Sequence, residues 1–67
     1  MSMQFEVIER VGVSTESISE AVKSVLTAAN NEKKVAWFEV IEQRGRMTAE
    51  GKVEFQVKIK IGRKLSE

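Results

Sequence analysis

Residues 53–61 read VEFQVKIKI, and this run determines what the rest of the chain can form. Every odd position is apolar, and the even positions between them are polar: Glu54, Gln56, Lys58 and Lys60. Side chains alternate between the two faces of a strand, so the pattern predicts a strand with one buried face and one open face. Another apolar layer of the chain must cover the buried face.

That layer is predicted to be a helix in the first half of the chain. Ser17-Ile18-Ser19-Glu20 has the spacing of a capping box, and Ser14 is an alternative cap one turn earlier. Asn30-Asn31 suits the end of a helix, and residues 32–34 are expected to form a solvated connector. Between these limits the apolar residues share one helical stripe: Ile18, Ala21, Val22, Val25, Leu26 and Ala29.

Two further strands are predicted. Residues 4–11 suit a first strand with one buried face, ended by Gly12, and residues 35–43 suit a second. Residues 44–51 contain two glycines and are expected to be a long connection between antiparallel strands. The order strand, helix, strand, strand predicts a single α+β domain over residues 1–67, with a three-stranded antiparallel sheet packed on one helix.

The second strand contains Trp37, the only tryptophan. Its neighbours divide by parity into one set with Ala36, Phe38 and Val40 and another with Trp37, Glu39 and Ile41. The set that contains Glu39 is the poorer candidate for a sealed core. Trp37 is therefore predicted to point away from the helix, onto a surface that something else covers. The alternative is a tryptophan packed within the core.

Length and composition exclude several functions. A chain of 67 residues buries little surface as a monomer, and without Cys or His it is expected to gain stability by oligomerisation. Cysteine nucleophiles, Ser-His-Asp triads and zinc sites built on Cys or His are excluded within one chain. The net charge of +1 lacks the basic excess of a non-specific nucleic-acid binder. Short apolar runs predict a cytoplasmic protein without a membrane span.

Four separated stretches carry a resemblance to one family. They are VGVSTES at residues 11–17, WFEV at residues 37–40, Arg44-Gly45, and EFQV at residues 54–57. In this order and spacing they resemble the dodecins, small flavin-binding proteins, along essentially the whole chain. The connection at residues 30–34 is one residue shorter than in many members, and Arg63 stands where the family often has an apolar residue.

The resemblance implies a hollow homododecamer that binds flavins in pairs at subunit interfaces. Trp37 would stack on the isoalloxazine ring, and Gln56 would hydrogen-bond its polar edge. Arg44 would stack on the ring or pair with a flavin phosphate, for which Arg46 and Lys64 are weaker candidates. The implied ligand is FMN or riboflavin, with FAD less favoured, and no metal site is expected.

The resulting hypothesis is a flavin storage and sequestration protein that quenches its ligand and is not an enzyme. A catalytic flavoenzyme needs groups that handle protons, and the chain has no His, Cys or Tyr. One alternative is a structural homo-oligomer without ligand, in which Trp37 seals an interface. Another is single-stranded nucleic-acid binding on Trp37 with a basic track, which the balanced charge disfavours; the track would be Lys58, Lys60, Arg63 and Lys64.

Overall fold

The structure is a computed structural model that describes residues 3–65. Its elements are β1 (Phe5–Ser14), α1 (Ile18–Glu32), β2 (Val35–Met47) and β3 (Val53–Lys64). The three strands form one antiparallel sheet in the order β1-β3-β2, with α1 on one side. The predicted α+β architecture is therefore confirmed. The sequence after Gly62 predicts a tail at residues 63–67, but Arg63 and Lys64 belong to β3, and residues 66–67 lie outside the described residues.

The helix begins where the sequence predicts. Ser17 is the cap, since its Oγ accepts a hydrogen bond from the backbone N–H of Glu20 at 3.0 Å. The apolar stripe packs on β3, and the buried core consists of Ala21, Val25, Ala29, Val57, Ile59 and Ile61. The remaining members of the stripe, Ile18, Val22 and Leu26, lie partly buried beside it. Helix and sheet thus share one small core.

The first strand does not end at Gly12 but continues to Ser14. At Gly12 the helix α1 lies very close to the sheet, because a Cβ atom at this position would lie 2.6 Å from the backbone oxygen of Ala21. Any side chain there would push the helix away from the strand. The glycine that suggested a strand end is therefore a packing position inside the strand.

The apolar residues of β1 lie mainly on the side of the sheet that α1 does not cover. Gly12 pairs with Val57 and Ile8 with Ile61, so even positions of β1 face the helix. Four apolar side chains on the odd positions are 41–63% exposed: Phe5, Val7, Val11 and Val13. The expectation of one buried face in this strand is confirmed on its even positions, which are partly or fully buried, but of the apolar side chains only Ile8 lies on that face and contacts the core.

The β2-β3 hairpin extends beyond the helix and makes the molecule elongated, about 53 × 19 × 14 Å. The predicted long connection at residues 44–51 is wrong at its start, since β2 continues to Met47 and only residues 48–52 connect the strands. Almost every residue of β2 is exposed, and the second half of this strand correspondingly lacks the alternation that marks a half-buried strand. Phe55, expected in the core, is only partly buried, and Val53 is exposed.

Glu32 belongs to the helix and not to a solvated connector. Its carboxylate accepts hydrogen bonds from Arg10 at 2.7 and 2.9 Å and from Arg63 at 3.2 Å. These bonds, first that from Arg10, lower the pKa of Glu32 to about 2. Arg63 is only 7% exposed and also forms an ion pair with Glu6 at 2.7 Å and donates to the Ala29 carbonyl. A buried cation thus joins β1, β3 and the end of α1.

Candidate functional site

The side of the sheet opposite α1, here called the open face, carries the predicted binding residues. The strand register aligns three residues, one from each strand, in rows across the sheet that are here called rungs. Val7, Gly62 and Trp37 form one rung, and Val13, Gln56 and Arg44 form another. Between them lie two charged rungs, Glu9 with Lys60 and Glu39, and Val11 with Lys58 and Glu42. The open face therefore has two distinct ends joined by charged residues.

Trp37 occupies one end of the open face. It pairs with Gly62, and a Cβ atom at position 62 would overlap the indole ring, so the ring lies directly over the glycine. Trp37 is 42% exposed although this contact covers part of the ring. The prediction that Trp37 points away from the helix is confirmed, since Gly62 stands on the even, uncovered side of β3. Lys64 follows Gly62 on the same side and pairs with Phe5.

A β-bulge brings Arg44 to the other end. The pairing of β2 with β3 shifts between Val40 and Glu42, so Ile41 is an additional residue without a partner. The pairing also shifts between Val35 and Trp37, which leaves Val35 on the helix side. Between the two shifts the odd positions of β2 share the open face with Trp37, and after Ile41 the even positions do. Arg44 consequently stands opposite Gln56 on the open face. Strict alternation from Trp37 would instead have turned Arg44 toward the helix side, and the sequence gives no signal of the bulge.

Arg44 and Gln56 line a cavity of about 310 Å³ with Val11, Glu42, Val57 and Lys58. Arg44 donates to Glu42 at 2.8 Å, and Lys58 forms an ion pair with Glu9 at 3.5 Å. The hydrogen bond from Arg44 lowers the pKa of Glu42, and the same bond raises the pKa of Arg44. Glu42 is thus a carboxylate at neutral pH. It lines the candidate site, although no motif in the sequence pointed to it.

Arg46 lies one rung further along, and its guanidinium also contacts a carboxylate of its own chain. Its Nε donates to Glu54 at 2.8 Å, and the side-chain amide of Gln56 donates to the same Glu54 oxygen at 3.4 Å. The bond from Arg46 lowers the pKa of Glu54. The three predicted groups at this end, Arg44, Arg46 and Gln56, therefore all contact acidic neighbours.

The five predicted residues fall into two separate groups within one chain. Gln56 lies six residues from Gly62 along β3, which is about 20 Å at the rise of a strand. Trp37 and Lys64 stand at one end of that distance, and Arg44, Arg46 and Gln56 at the other. A fused tricyclic ring stacked on Trp37 does not reach Gln56 of the same chain.

Two other kinds of site are absent from the described part of the chain. Within residues 3–65 no group of three or more His, Cys, Asp or Glu side chains is placed to hold a metal ion. In the same range no helix is long and apolar enough to cross a membrane.

Fold and open face together define a class: small strand-helix-strand-strand subunits whose sheet leaves an aromatic surface uncovered. Within that class, the dodecin family model matches residues 5–66, and the chain belongs to the dodecin family. The chain is also 34% identical over 68 residues to the dodecin of Thermus thermophilus, with 100% of this chain and 99% of the relative covered.

Solved structures agree with this assignment. The dodecin of Streptomyces davaonensis superposes with a TM-score of 0.88 at 29% identity, and the match covers 100% of both chains. An arginine-to-alanine variant of the Thermus thermophilus dodecin gives a TM-score of 0.86 at 33% identity, with 98% of each chain covered. A calcium dodecin from Mycobacterium tuberculosis, 23% identical over 94% of this chain and 91% of its own, shares the fold with a TM-score of 0.85.

Proposed function

We propose that this chain binds flavins between subunits of a closed homo-oligomer and sequesters them without turning over a substrate. The observation that carries the proposal is the position of Trp37 over Gly62, on a face that its own helix leaves uncovered. An indole held there presents its outer surface for offset stacking with a planar ring. FMN and riboflavin are the favoured ligands, and FAD is a third candidate.

Each site combines two copies of the chain. Since Trp37 and Gln56 of one chain lie about 20 Å apart, the tryptophan of one subunit stacks on the ring while the Gln56 end of another hydrogen-bonds its polar edge. A side-chain amide both donates and accepts, as the uracil-like edge of a flavin requires. Arg44 lies opposite Gln56 and is placed to contact the same ligand, with Arg46 one rung beyond it.

Assembly follows from the open face itself. Phe5, Val7, Val11 and Val13 leave it with an apolar stripe along β1 that a monomer exposes to water. A chain this small gains stability by burying such a surface against other copies. The assembly we propose is the homododecamer implied by the family, in which the buried stripe and the flavin sites lie at the same interfaces.

Quenching requires only proximity. An excited flavin accepts an electron from a stacked indole, and the electron returns without a net reaction, so Trp37 protects the ligand from photochemistry. Storage follows from the enclosure of the ligand between subunits. The described residues contain no Cys or His that could act in proton transfer, since the whole chain has neither.

Flavin titration of the purified oligomer tests the stacking role. Trp37→Ala should weaken binding roughly ten- to a hundredfold, as expected for the loss of about 1–3 kcal/mol of stacking. Trp37→Phe should retain part of the affinity but quench flavin fluorescence less, because phenylalanine is a poorer electron donor. Light scattering on each variant controls for assembly. Unchanged affinity and unchanged quenching in Trp37→Ala would show that the tryptophan is only packing.

Mixed oligomers test whether sites are shared between copies. Trp37→Ala and Gln56→Ala chains, each weak in binding, are unfolded together in equal amounts and refolded. If each site takes Trp37 from one copy and Gln56 from another, random assembly restores about a quarter of the sites to full affinity. If both residues act within one chain, the mixture regains no tight site.

A ligand-free structural oligomer is the second candidate, because the apolar stripe on β1 offers Trp37 a protein partner across an interface. A direct measurement distinguishes the two functions. Mass spectrometry of small molecules released from the purified oligomer, together with absorbance in the flavin region, detects a bound flavin. A tight oligomer that neither carries nor takes up flavin would support the structural role.

A further inference from the structure

Two residues at the start of β2 face opposite sides of the sheet although they are only two positions apart. Val35 pairs with the buried Arg63 and packs against the core, whereas Trp37 pairs with Gly62 on the open face. Strict alternation would put both residues on the same side of the strand. The shift in pairing between them is a β-bulge at Ala36, and this bulge allows both placements.

The backbone just before the bulge is held from two directions. Toward β3, the Lys64 N–H donates to the Lys34 carbonyl at 3.3 Å. Toward the helix, the Val35 N–H donates to Asn30 Oδ1 at 2.8 Å. Since β2 is an outer strand of the described sheet, its outward N–H groups meet no further strand there. The Asn30 side chain therefore supplies an acceptor on the side where the sheet ends.

The last turn of α1, which carries Asn30, is itself fixed to the sheet. Arg63 donates to the Ala29 carbonyl at 3.4 Å and to the Glu32 carboxylate at 3.2 Å. Ala29 is also fully buried in the core. The amide of Asn30 thus starts from a helix turn whose place relative to β3 is set by its neighbours on both sides.

We infer that Asn30 is a positioning residue for Trp37. Its amide oxygen holds the Val35 N–H and so keeps the bulge at Ala36, which turns the indole onto the open face. The inference deepens the proposed function, and its effect on flavin affinity rests on that function. Its effects on the backbone and on the indole do not depend on a ligand.

An alternative pairing shows why the bulge matters for the site. If β2 continued from Val35 without a bulge, Ala36 would stand opposite Gly62. Trp37 would then stand opposite Ile61 and face the helix side. A planar ring on the open face would meet a methyl group instead of an indole. The place of the bulge thus determines whether this end of the open face has a stacking surface.

The test compares Asn30→Ala with the wild-type oligomer. Asn30 is exposed and one hydrogen bond is lost, so the amide of Val35 should exchange with solvent roughly three- to tenfold faster. Mass spectrometry of a peptide from this part of β2 measures the exchange. Emission from Trp37, the only tryptophan, should shift to longer wavelength in the flavin-free oligomer as the ring leaves Gly62. Flavin affinity should fall by about three- to tenfold.

Two further variants serve as controls. Asn30→Asp keeps an oxygen acceptor at the same place and should restore exchange, emission and affinity close to wild type. Asn31→Ala makes the same change at the next residue, which lies on the outer side of the helix with Lys23 and Thr27, and should leave all three unchanged. Light scattering on each variant controls for assembly.

Deletion of Ala36 separates positioning from a general structural role. The deletion closes the bulge, so Trp37 follows Val35 directly and faces the open side by alternation alone. In this background Asn30→Ala should no longer shift the emission of Trp37. If the deletion variant does not assemble, the comparison of Asn30→Ala with Asn31→Ala decides.

Equal exchange and equal emission in Asn30→Ala and Asn31→Ala would overturn the inference and leave the proposed function intact. An emission shift in Asn30→Ala that persists after deletion of Ala36 would also overturn it, since Asn30 would then act without the bulge. If no form of the oligomer binds flavin, the proposed function fails. Exchange and emission, both measured without ligand, then still decide the role of Asn30.

Discussion

The two faces of strand β3 show how differently one run of sequence can be used. On the covered face, Val57, Ile59 and Ile61 are no more than 1% exposed and pack on the helix. On the open face, Gln56, Lys58, Lys60 and Gly62 lie one residue away along the same backbone and form the floor of the candidate site. The comparison teaches that stability and ligand binding are separated here by alternation alone, so mutations can address one without the other.

The largest expected effect lies on the covered face. Ile59→Ala should destabilise the protein by about 2–5 kcal/mol, since it removes a fully buried side chain from a small core. Lys58→Ala, the adjacent residue on the open face, should change stability by no more than about 0.5 kcal/mol. Chemical denaturation at matched protein concentration measures both. Equal losses in the two variants would contradict the division between the faces.

The buried arginine sharpens the comparison, because it is a charged residue on the covered side. Arg63→Ala removes the partner of both Glu6 and Glu32, and we expect a loss of about 1–3 kcal/mol, less than for a fully enclosed pair. Lys60→Ala on the open face of the same strand is the control. Thermal unfolding of Arg63→Ala that matches wild type would show that the cluster contributes nothing to stability.

Gly62 lies on the open face directly beneath Trp37, so a substitution there tests flavin binding. Gly62→Ala should displace the indole of Trp37, because the new methyl group occupies the space that the ring fills. We expect flavin affinity to fall by up to about tenfold, within the range for a lost aromatic stack. Tryptophan fluorescence should shift, although Trp37 itself is unchanged. A variant that keeps both the wild-type emission and the wild-type affinity would place the ring elsewhere.

Acid titration gives the smallest expected effect. The pKa of Glu32 is about 2 in the folded chain against an ordinary value of 4.5, so its stabilising contribution is complete above pH 4.5 and is lost as the pH falls toward 2. Denaturation midpoints measured over this window should therefore decline. Glu32→Gln should flatten the decline, whereas Glu50→Gln, in the exposed connection between β2 and β3, should not.

The covered face could be predicted because the sequence contains both the two-residue period of a strand and the apolar stripe of a helix. The alternation in β3 and the stripe of α1 give the element order, the cap at Ser17 and most of the core. Phe55 was assigned to the core on the same alternation, but it stands beyond the end of the helix, where nothing of the single chain covers it fully. Periodicity indicates which side a residue faces and not how far the covering element extends.

The open face was harder to predict because its arrangement depends on register. Trp37 could be placed from its neighbours, but the pairing of Arg44 with Gln56 depends on a bulge that no residue type announces. Glu32 and Arg63 were assigned to a connector and a tail, since a charged residue in sequence gives no sign of its partners 22 or 31 positions away. Long-range ion pairs can be identified only when the fold is known.

The unpaired Ile41 also makes the register of β2 a functional quantity. Deletion of Ile41 would close the bulge and leave Glu42 directly after Val40, so residues 42–47 would keep their partners and their sides of the sheet. If Ile41 instead paired with Lys58, Gln43 would stand opposite Gln56, and Arg44 and Arg46 would turn toward the helix side. The amino-acid sequence would be the same, yet the side chains offered beside Gln56 would be those of a different protein.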